Sequence, residues 1–122
     1  MIKSKFITDI IELLLEGTED CETLMKQTSF LSDTKYDYTG VGLYVTFSHS
    51  AEIVTYKLDE RKRIINGVEI VSKELDASGA GAILWVENGI INTLEIYTYV
   101  GTYPKKELDK YSLRKDNKGS KY

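Results

Sequence analysis

At 122 residues, the chain has the length of one domain, large enough to bury a core without disulfides or metals. Hydrophobic residues at 42% and charged residues at 29% are ordinary for a folded protein and exclude a wholly disordered chain. The single cysteine, Cys21, excludes an internal disulfide, and no apolar run approaches the roughly 20 residues that a membrane-spanning helix needs.

No basic and apolar leader is visible, so Met1 is expected to begin the mature chain and a reducing cytoplasm is the expected compartment. The net charge of −3 is unevenly spread. Residues 105–122 hold seven basic side chains against three acidic ones, a balance of +4, so residues 1–104, with 9 basic and 16 acidic, carry −7. An acidic body repels nucleic acid and attracts basic partners. Acidity also serves plain solubility.

From Lys5 to Glu16 the apolar residues Phe6, Ile7, Ile10, Ile11, Leu13, Leu14 and Leu15 fit helical spacing better than alternation. Ser4 suits the N-cap and Gly17 the left-handed stop. Asp9, Glu12 and Glu16 on the polar side argue against a membrane-surface helix, which would want lysine or arginine there. Thr18 followed by Glu19, Asp20 and Glu22 reads as the start of a second short helix reaching about Phe30. Cys21 on its apolar side reads as core, since acidic neighbours oppose a thiolate.

Ser32 to Thr39 reads as a polar connection. Val41, Leu43, Val45 and Phe47 then alternate with Gly42, Tyr44 and Thr46, which predicts a half-buried strand. Gly40 and Gly42 do not open a dinucleotide fingerprint, because the third glycine and a following helix are missing. Ser48 to Glu52 is expected to turn, Ile53 to Leu58 to form another strand, and Asn66-Gly67 to make a small hairpin or bulged turn within Lys62 to Val71. Ser72 to Gly79 reads as a loop.

The most informative stretch runs from Ala80 to Tyr99. Two β-rich runs flank Asn88-Gly89, a pair that accepts the positive φ of a tight hairpin turn. With those two residues as the loop, Glu87 faces Ile90, Trp85 faces Asn92, Ile83 faces Leu94 and Ala80 faces Tyr97. That register puts Ile83, Trp85, Ile90, Leu94 and Ile96 on one face. Ala80, Ala82, Leu84, Val86 and Ile91 share the other with Thr93, Glu95, Tyr97 and Tyr99. Pro104 suits the first turn of a short helix carrying Glu107, Leu108 and Tyr111. Asp116 to Tyr122, without an apolar anchor, is expected to fray.

The resulting expectation is an α+β fold. Two N-terminal helices pack on a mostly antiparallel sheet of four to six strands, with residues 1–115 as one domain and 116–122 as a basic tail.

Catalytic chemistry finds no foothold. His49 is the only histidine and stands in a turn, no ligand spacing suggests a metal, no strained nucleophile turn is present, and Gly79-Ala80-Gly81 lacks the Lys-Ser/Thr ending of a phosphate loop. The expectation is a binding protein rather than an enzyme, with no cofactor and no catalytic residue. Nine tyrosines and one tryptophan are many for this length. Tyr97, Tyr99 and Tyr103 near Glu95 fit a protein interface, where a ring buries a large area and its hydroxyl keeps a hydrogen bond. They equally fit rings that cover Ala80 and Ala82 across the strand.

The stretch from Asn66-Gly67-Val68-Glu69-Ile70 through Ala82-Ile83-Leu84-Trp85-Val86-Glu87-Asn88-Gly89 to Leu94-Glu95-Ile96-Tyr97 and Tyr103-Pro104 resembles small bacterial proteins of polymorphic-toxin loci. They are the immunity proteins of contact-dependent growth inhibition and related systems. The resemblance covers the C-terminal half and implies a protein that binds one cognate toxin domain, a nuclease being the expected type, and blocks its active site or substrate channel. Individual functional residues do not carry over. The partner surface expected from the acidic body and the tyrosines is Glu69, Glu74, Asp76, Glu87, Glu95, Tyr97 and Tyr99, with no nucleic acid, membrane or metal as ligand. Two other readings stand beside it. One is a pocket of cystatin-like or nuclear-transport-factor-like architecture, binding a small ligand or serving a simple lyase or isomerase, with Glu95, Tyr97 and Tyr99 pointing inward. The other is pairing of two copies through a sheet edge.

Overall fold

Ser4 begins the first helix as its composition predicts: its hydroxyl accepts from the Ile7 N–H, and α1 runs over Lys5–Leu15. Gly17, at φ 77°, turns the chain away afterwards. The computed structural model describes residues 1–115, so the expected fraying of Asp116 to Tyr122 lies outside the described residues. A second helix, α2, spans Cys21–Thr28, and six strands follow: β1 Leu31–Tyr38, β2 Gly42–His49, β3 Lys62–Val71, β4 Ala80–Glu87, β5 Ile90–Thr98 and β6 Ser112–Lys115. They form one sheet in the order β1-β2-β5-β4-β3-β6, with every neighbouring pair antiparallel. The fold is α+β.

Both helices lie on one face of this sheet. The buried stripe of α1, Phe6, Ile7, Ile10, Ile11, Leu14 and Leu15, meets β3, β4 and β6, while α2 meets β5. Against them the sheet sets Leu43, Val45 and Phe47 from β2, Ala80, Ala82, Leu84 and Val86 from β4, and Ile91, Leu94 and Ile96 from β5, all buried. Each fully buried aliphatic side chain contributes roughly 1.5–3 kcal/mol over its exposed state, which is what holds the layer down.

Three strands depart from strict alternation, each through a bulge. In β5, Val86 still faces Ile91, but Trp85 faces Thr93, so Asn92 is an extra residue. The plain hairpin register is therefore wrong beyond the first two pairs: Leu84 faces Leu94, Ala82 faces Ile96 and Gly81 faces Tyr97. Burial explains the shift. Without it Leu94 and Ile96 would face outward and Glu95 inward beneath α1. In β3 the irregularity at Asn66-Gly67, with Gly67 at φ 108°, lets Ile65 and then Val68 and Ile70 all point to the core. The Asn-Gly pair there is a bulge inside one strand, not a hairpin.

Other expectations are corrected. Residues 32–39 are not a connection but most of β1, an edge strand whose bulge at Thr34 brings Asp33 and then Tyr36 and Tyr38 to the helix side. Residues 53–58 do not form a strand: Ala51–Tyr56 is a 3-10 helix that buries Ile53 while Val54 is exposed. His49 closes β2 and is not in a turn. No helix starts at Pro104. Tyr103 and Leu108 are buried there as anchors of an irregular loop that leads into β6.

Long-range hydrogen bonds fasten the covering layer. Buried Gln27 donates from Nε2 to the carbonyls of Tyr56 (2.8 Å) and Gly89 (2.9 Å), and its Oε1 accepts from the Ile91 N–H (2.9 Å). The Asn88-Gly89 turn is thus tied to α2, and the Leu58 N–H also donates to the Gly89 carbonyl at 3.0 Å. At the opposite edge, Lys115 Nζ donates to the carbonyls of Leu13 and Glu16 (both 2.7 Å) and satisfies the free end of α1. Asp33 accepts from the backbone N–H groups of Lys3 (2.8 Å) and Ser4 (3.2 Å), and Tyr36 donates to it at 2.6 Å.

Candidate functional site

With both helices on one face, the other face of the sheet carries no covering element among the described residues. Alternation and the three bulges decide what it displays: Lys35 and Asp37 from β1, Tyr44 and Thr46 from β2, and Thr93, Glu95 and Tyr97 from β5. Ile83, Trp85 and Glu87 follow from β4, Lys62, Ile64 and Glu69 from β3, and Arg114 from β6. Three large apolar or aromatic side chains of its strands stand out to water, Tyr44 at 40%, Ile64 at 46% and Val71, at the end of β3, at 40% exposure. Tyr99, just beyond β5, is 45% exposed.

Two local arrangements organise this face. Around its centre, Glu95 accepts from the Tyr44 hydroxyl at 3.2 Å and from the Trp85 indole N–H at 3.3 Å, so one carboxylate joins three adjacent strands. The Glu95 charge, and then its hydrogen bond, raise the Tyr44 hydroxyl above the ordinary phenol range. Lys62 stands over the Trp85 ring with Nζ 5.1 Å from the centroid. Beside this group lies a shallow depression of about 360 Å³ lined by Lys35, Asp37, Tyr44, Thr46, Trp85, Glu87, Asn92 and Thr93.

The second arrangement is the tyrosine pair. The rings of Tyr97 and Tyr99 meet edge to face, 5.7 Å between centroids. They lie over Gly81, where a Cβ would stand 2.6 Å from the Tyr97 ring tip and 2.9 Å from the Tyr99 hydroxyl. Gly81 is the gap in β4 that the rings fill.

Of the partner surface expected from sequence, Glu69, Glu87, Glu95, Tyr97 and Tyr99 come together on or beside this face. Glu74 and Asp76 do not join them. Glu74 pairs with Lys106 and accepts from the backbone N–H groups of Asp109 (2.8 Å) and Lys110 (3.3 Å), and those bonds, the one to Lys106 first, hold its carboxyl below the usual range. Asp76 closes a local turn by accepting from the Ser78 N–H at 2.9 Å. Both carboxylates organise loops. Glu69 is answered across the strand pair by Arg114 at 3.2 Å.

Sequence reasoning missed Asp37, Tyr44, Trp85 and Lys62 as members of the site. The alternation of β2 held the signal for Tyr44, because it stands opposite in phase to Leu43 and Val45. Trp85 was hidden by the Asn92 bulge, which decides that it shares a face with Glu95.

Glu95 and Tyr97 project from the open surface and Tyr99 stands beside it, and none of the three lines the depression on this face. Among the described residues no three His, Cys, Asp or Glu side chains converge as a metal site, and no helix is long and apolar enough to cross a membrane. No family model, curated protein or solved structure matches the chain.

Proposed function

We propose that this chain is an immunity-type binding protein that neutralises a cognate toxin domain in the cytoplasm. It docks its open sheet face over the toxin's active site or substrate channel, and a nuclease is the target type that the acidic body suits. One observation carries the reading: both helices cover the same face and leave the opposite one with an aromatic and carboxylate surface centred on Tyr44, Trp85, Glu95 and Tyr97. Rigid aromatic side chains supply contact area at little entropic cost, and carboxylates steer toward a surface built for phosphates. Inhibition by occlusion needs no cofactor and no catalytic group from this chain.

The reading is tested by co-expressing the chain with the toxin domain encoded beside it, followed by pull-down and a growth assay. Wild type is expected to co-purify and restore growth, whereas Tyr97→Ala combined with Tyr99→Ala is expected to lose both while keeping the fold. Absence of a complex together with absence of rescue ends the idea.

A further inference from the structure

The two edges of the sheet are finished differently. Strand β6 is four residues long and its Lys115 is fastened to the free end of α1, whereas β1 is eight residues long and forms the opposite edge. The first part of β1 is covered. The N-terminal strap crosses it there, with the Lys3 and Ser4 N–H groups on the Asp33 carboxylate and the Met1 ammonium 3.3 Å from the Ser32 hydroxyl. From Thr34 to Tyr38 no second strand pairs with this edge among the described residues.

The hydrogen-bond pattern decides which groups this leaves open. The Thr39 N–H donates to the Gly42 carbonyl at 3.0 Å, so these two form a hydrogen-bonded pair, and by alternation so do Asp37 with Tyr44 and Lys35 with Thr46. The far side of β2 agrees. There the Thr98 N–H donates to the Val41 carbonyl at 2.9 Å, which turns the backbone of Gly42, Tyr44 and Thr46 toward β1. The backbone N–H and C=O groups of Tyr36 and Tyr38 therefore point outward in the plane of the sheet, and such an edge is a template for another strand. On either side of Tyr36, Lys35 and Asp37 stand exposed on the open face, and neither has an ion-pair partner among the described residues.

We infer that β1 pairs with β1 of a second copy of this chain, antiparallel about a two-fold axis at Tyr36. In that register Tyr36 faces Tyr36 of the second copy, and the two exchange both backbone hydrogen bonds. Lys35 then faces Asp37 of the second copy, and Asp37 faces its Lys35. These are non-hydrogen-bonded positions, where facing Cα atoms come within about 4.5 Å and side chains on one face meet, so two cross-strand ion pairs form. The same charges reject the adjacent two-fold registers. A shift one way sets Asp37 against Asp37, and a shift the other way sets Lys35 against Lys35. The ends fit as well: Tyr38 is the last residue of β1 and lies opposite Thr34 of the second copy, so the pairing stops short of the strap at Asp33. Neither helix stands in the way, because α1 packs on β3, β4 and β6 and α2 on β5. The joint carries the open face of one copy into that of the other, two and three strands away from Glu95 and Trp85.

The inference stands apart from the docking reading, since it concerns the chain alone. So short an edge buries less than the roughly 1,200 Å² of a standard stable interface, and the pairing is therefore reversible and grows with concentration. Sedimentation equilibrium of the full chain, from micromolar to millimolar concentration, reads it. Wild type is expected to pass from monomer to dimer. Lys35→Glu sets like charges face to face at both positions and should raise the dissociation constant about tenfold or more, and Asp37→Lys should do the same. The double variant, Lys35→Glu with Asp37→Lys, restores opposite charges across the joint and should return the constant to within about threefold of wild type. Both side chains are exposed, and a rescue of this kind cannot come from misfolding.

A wild type that stays monomeric throughout, a dimer indifferent to the single reversals, or a double variant as weak as the singles overturns the assignment. A monomeric chain whose toxin complex is lost with Lys35→Glu gives the edge to the toxin instead of a second copy. The two readings fail separately. A charge-dependent dimer that forms no toxin complex keeps the β1 joint and removes the docking face, and a toxin complex made by a strictly monomeric chain does the reverse.

Discussion

The two faces of the sheet are made by the same six strands and have opposite chemistry. The covered face is aliphatic along β2, β4 and β5 and is closed by α1 and α2. The open face mixes tyrosine, tryptophan and isoleucine with carboxylates and lysines, and its largest group, Trp85, has its N–H satisfied by a neighbouring side chain rather than by the core. Antiparallel sheets tolerate one solvated face, but the solvated side is then ordinarily polar. Here it keeps rings and branched aliphatics where a purely structural face would show threonine and lysine, and this departure is what nominates it as a recognition surface.

The sharpest way to break the comparison is to truncate neighbours that point in opposite directions. Leu84→Ala opens a cavity beneath α1 and should cost about 2–5 kcal/mol in denaturant unfolding. Ile83→Ala, one residue away on the open face, should cost under about 1 kcal/mol. Equal losses would mean that something covers the open face in the isolated protein.

Gln27 comes next in size. It is the one buried polar side chain of the covered side among the described residues; two of its hydrogen bonds hold the Asn88-Gly89 turn and the third holds the end of the 3-10 helix at Tyr56. Gln27→Leu keeps the bulk but abandons the Ile91 N–H and the Tyr56 carbonyl and leaves the Gly89 carbonyl only its bond from Leu58, so about 2–3 kcal/mol should be lost. Hydrogen exchange should quicken at Ile91 before it does at Leu84.

How much of this was legible follows the bulges. Strands β2 and β4 alternate without interruption, and local pattern separates Leu43, Val45 and Phe47 from Tyr44 and Thr46, and Ala82, Leu84 and Val86 from Ile83 and Trp85, but it joins the wrong side of β4 to Glu95 and Tyr97. The end signals of α1 at Ser4 and Gly17 are equally local. In β1, β3 and β5 one inserted residue changes the phase, and only the partner strand and the helix above it decide where the insertion falls. The sequence around Asn92 is compatible with either phase. What selects one is the burial of Leu94 and Ile96 by elements far away in the chain.

The same cause misled the reading of residues 53–58, a β-rich stretch that curls into a 3-10 helix because Ile53 and Leu58 are wanted in the core and the Leu58 N–H is wanted by Gly89. Within the candidate site, Glu95, Tyr97 and Tyr99 were readable as a group. Their company of Asp37, Tyr44, Trp85 and Lys62 was not, since it depends on β2 pairing with β5 and on β3 pairing with β4.

Acid should loosen the covered face before it disturbs the open one. Burial by itself raises the Asp33 carboxyl, but the Tyr36 hydroxyl and the Lys3 and Ser4 N–H groups together hold it below the usual range. Asp9 is lowered by its hydrogen bond to Lys5. A carboxyl whose folded pKa lies below its unfolded value contributes stability above the unfolded value, near about pH 4, and loses it as pH falls through the folded one. Unfolding free energy should therefore decline below about pH 4, with the N-terminal strap and α1 leading. Asp33→Asn should flatten that decline and cost about 1 kcal/mol at neutral pH. An unchanged acid slope in Asp33→Asn would assign the effect to other carboxyls.

The smallest expected effect separates two tyrosines of one stack. Tyr36, Tyr38 and Tyr103 line up on the covered side with centroids 6.5 and 6.4 Å apart. Burial raises the Tyr36 and Tyr103 hydroxyls well above the phenol range, but their partners differ. Tyr36 donates to Asp33 at 2.6 Å, whereas the Tyr103 hydroxyl is buried with no hydrogen-bond partner among the described residues. A buried hydroxyl without a partner has given up its bond to water for nothing, and removing it restores what desolvation took. Tyr103→Phe should thus be neutral or stabilising by up to about 1 kcal/mol, while Tyr36→Phe, which strips a donor from Asp33, should cost about 0.5–1.5 kcal/mol. Neither change touches the open face, so partner binding should stay at wild-type strength in both. A Tyr103→Phe variant that unfolds more easily would mean that its hydroxyl is bonded in solution, and the covered side would then be wetter near Leu108 than its packing implies.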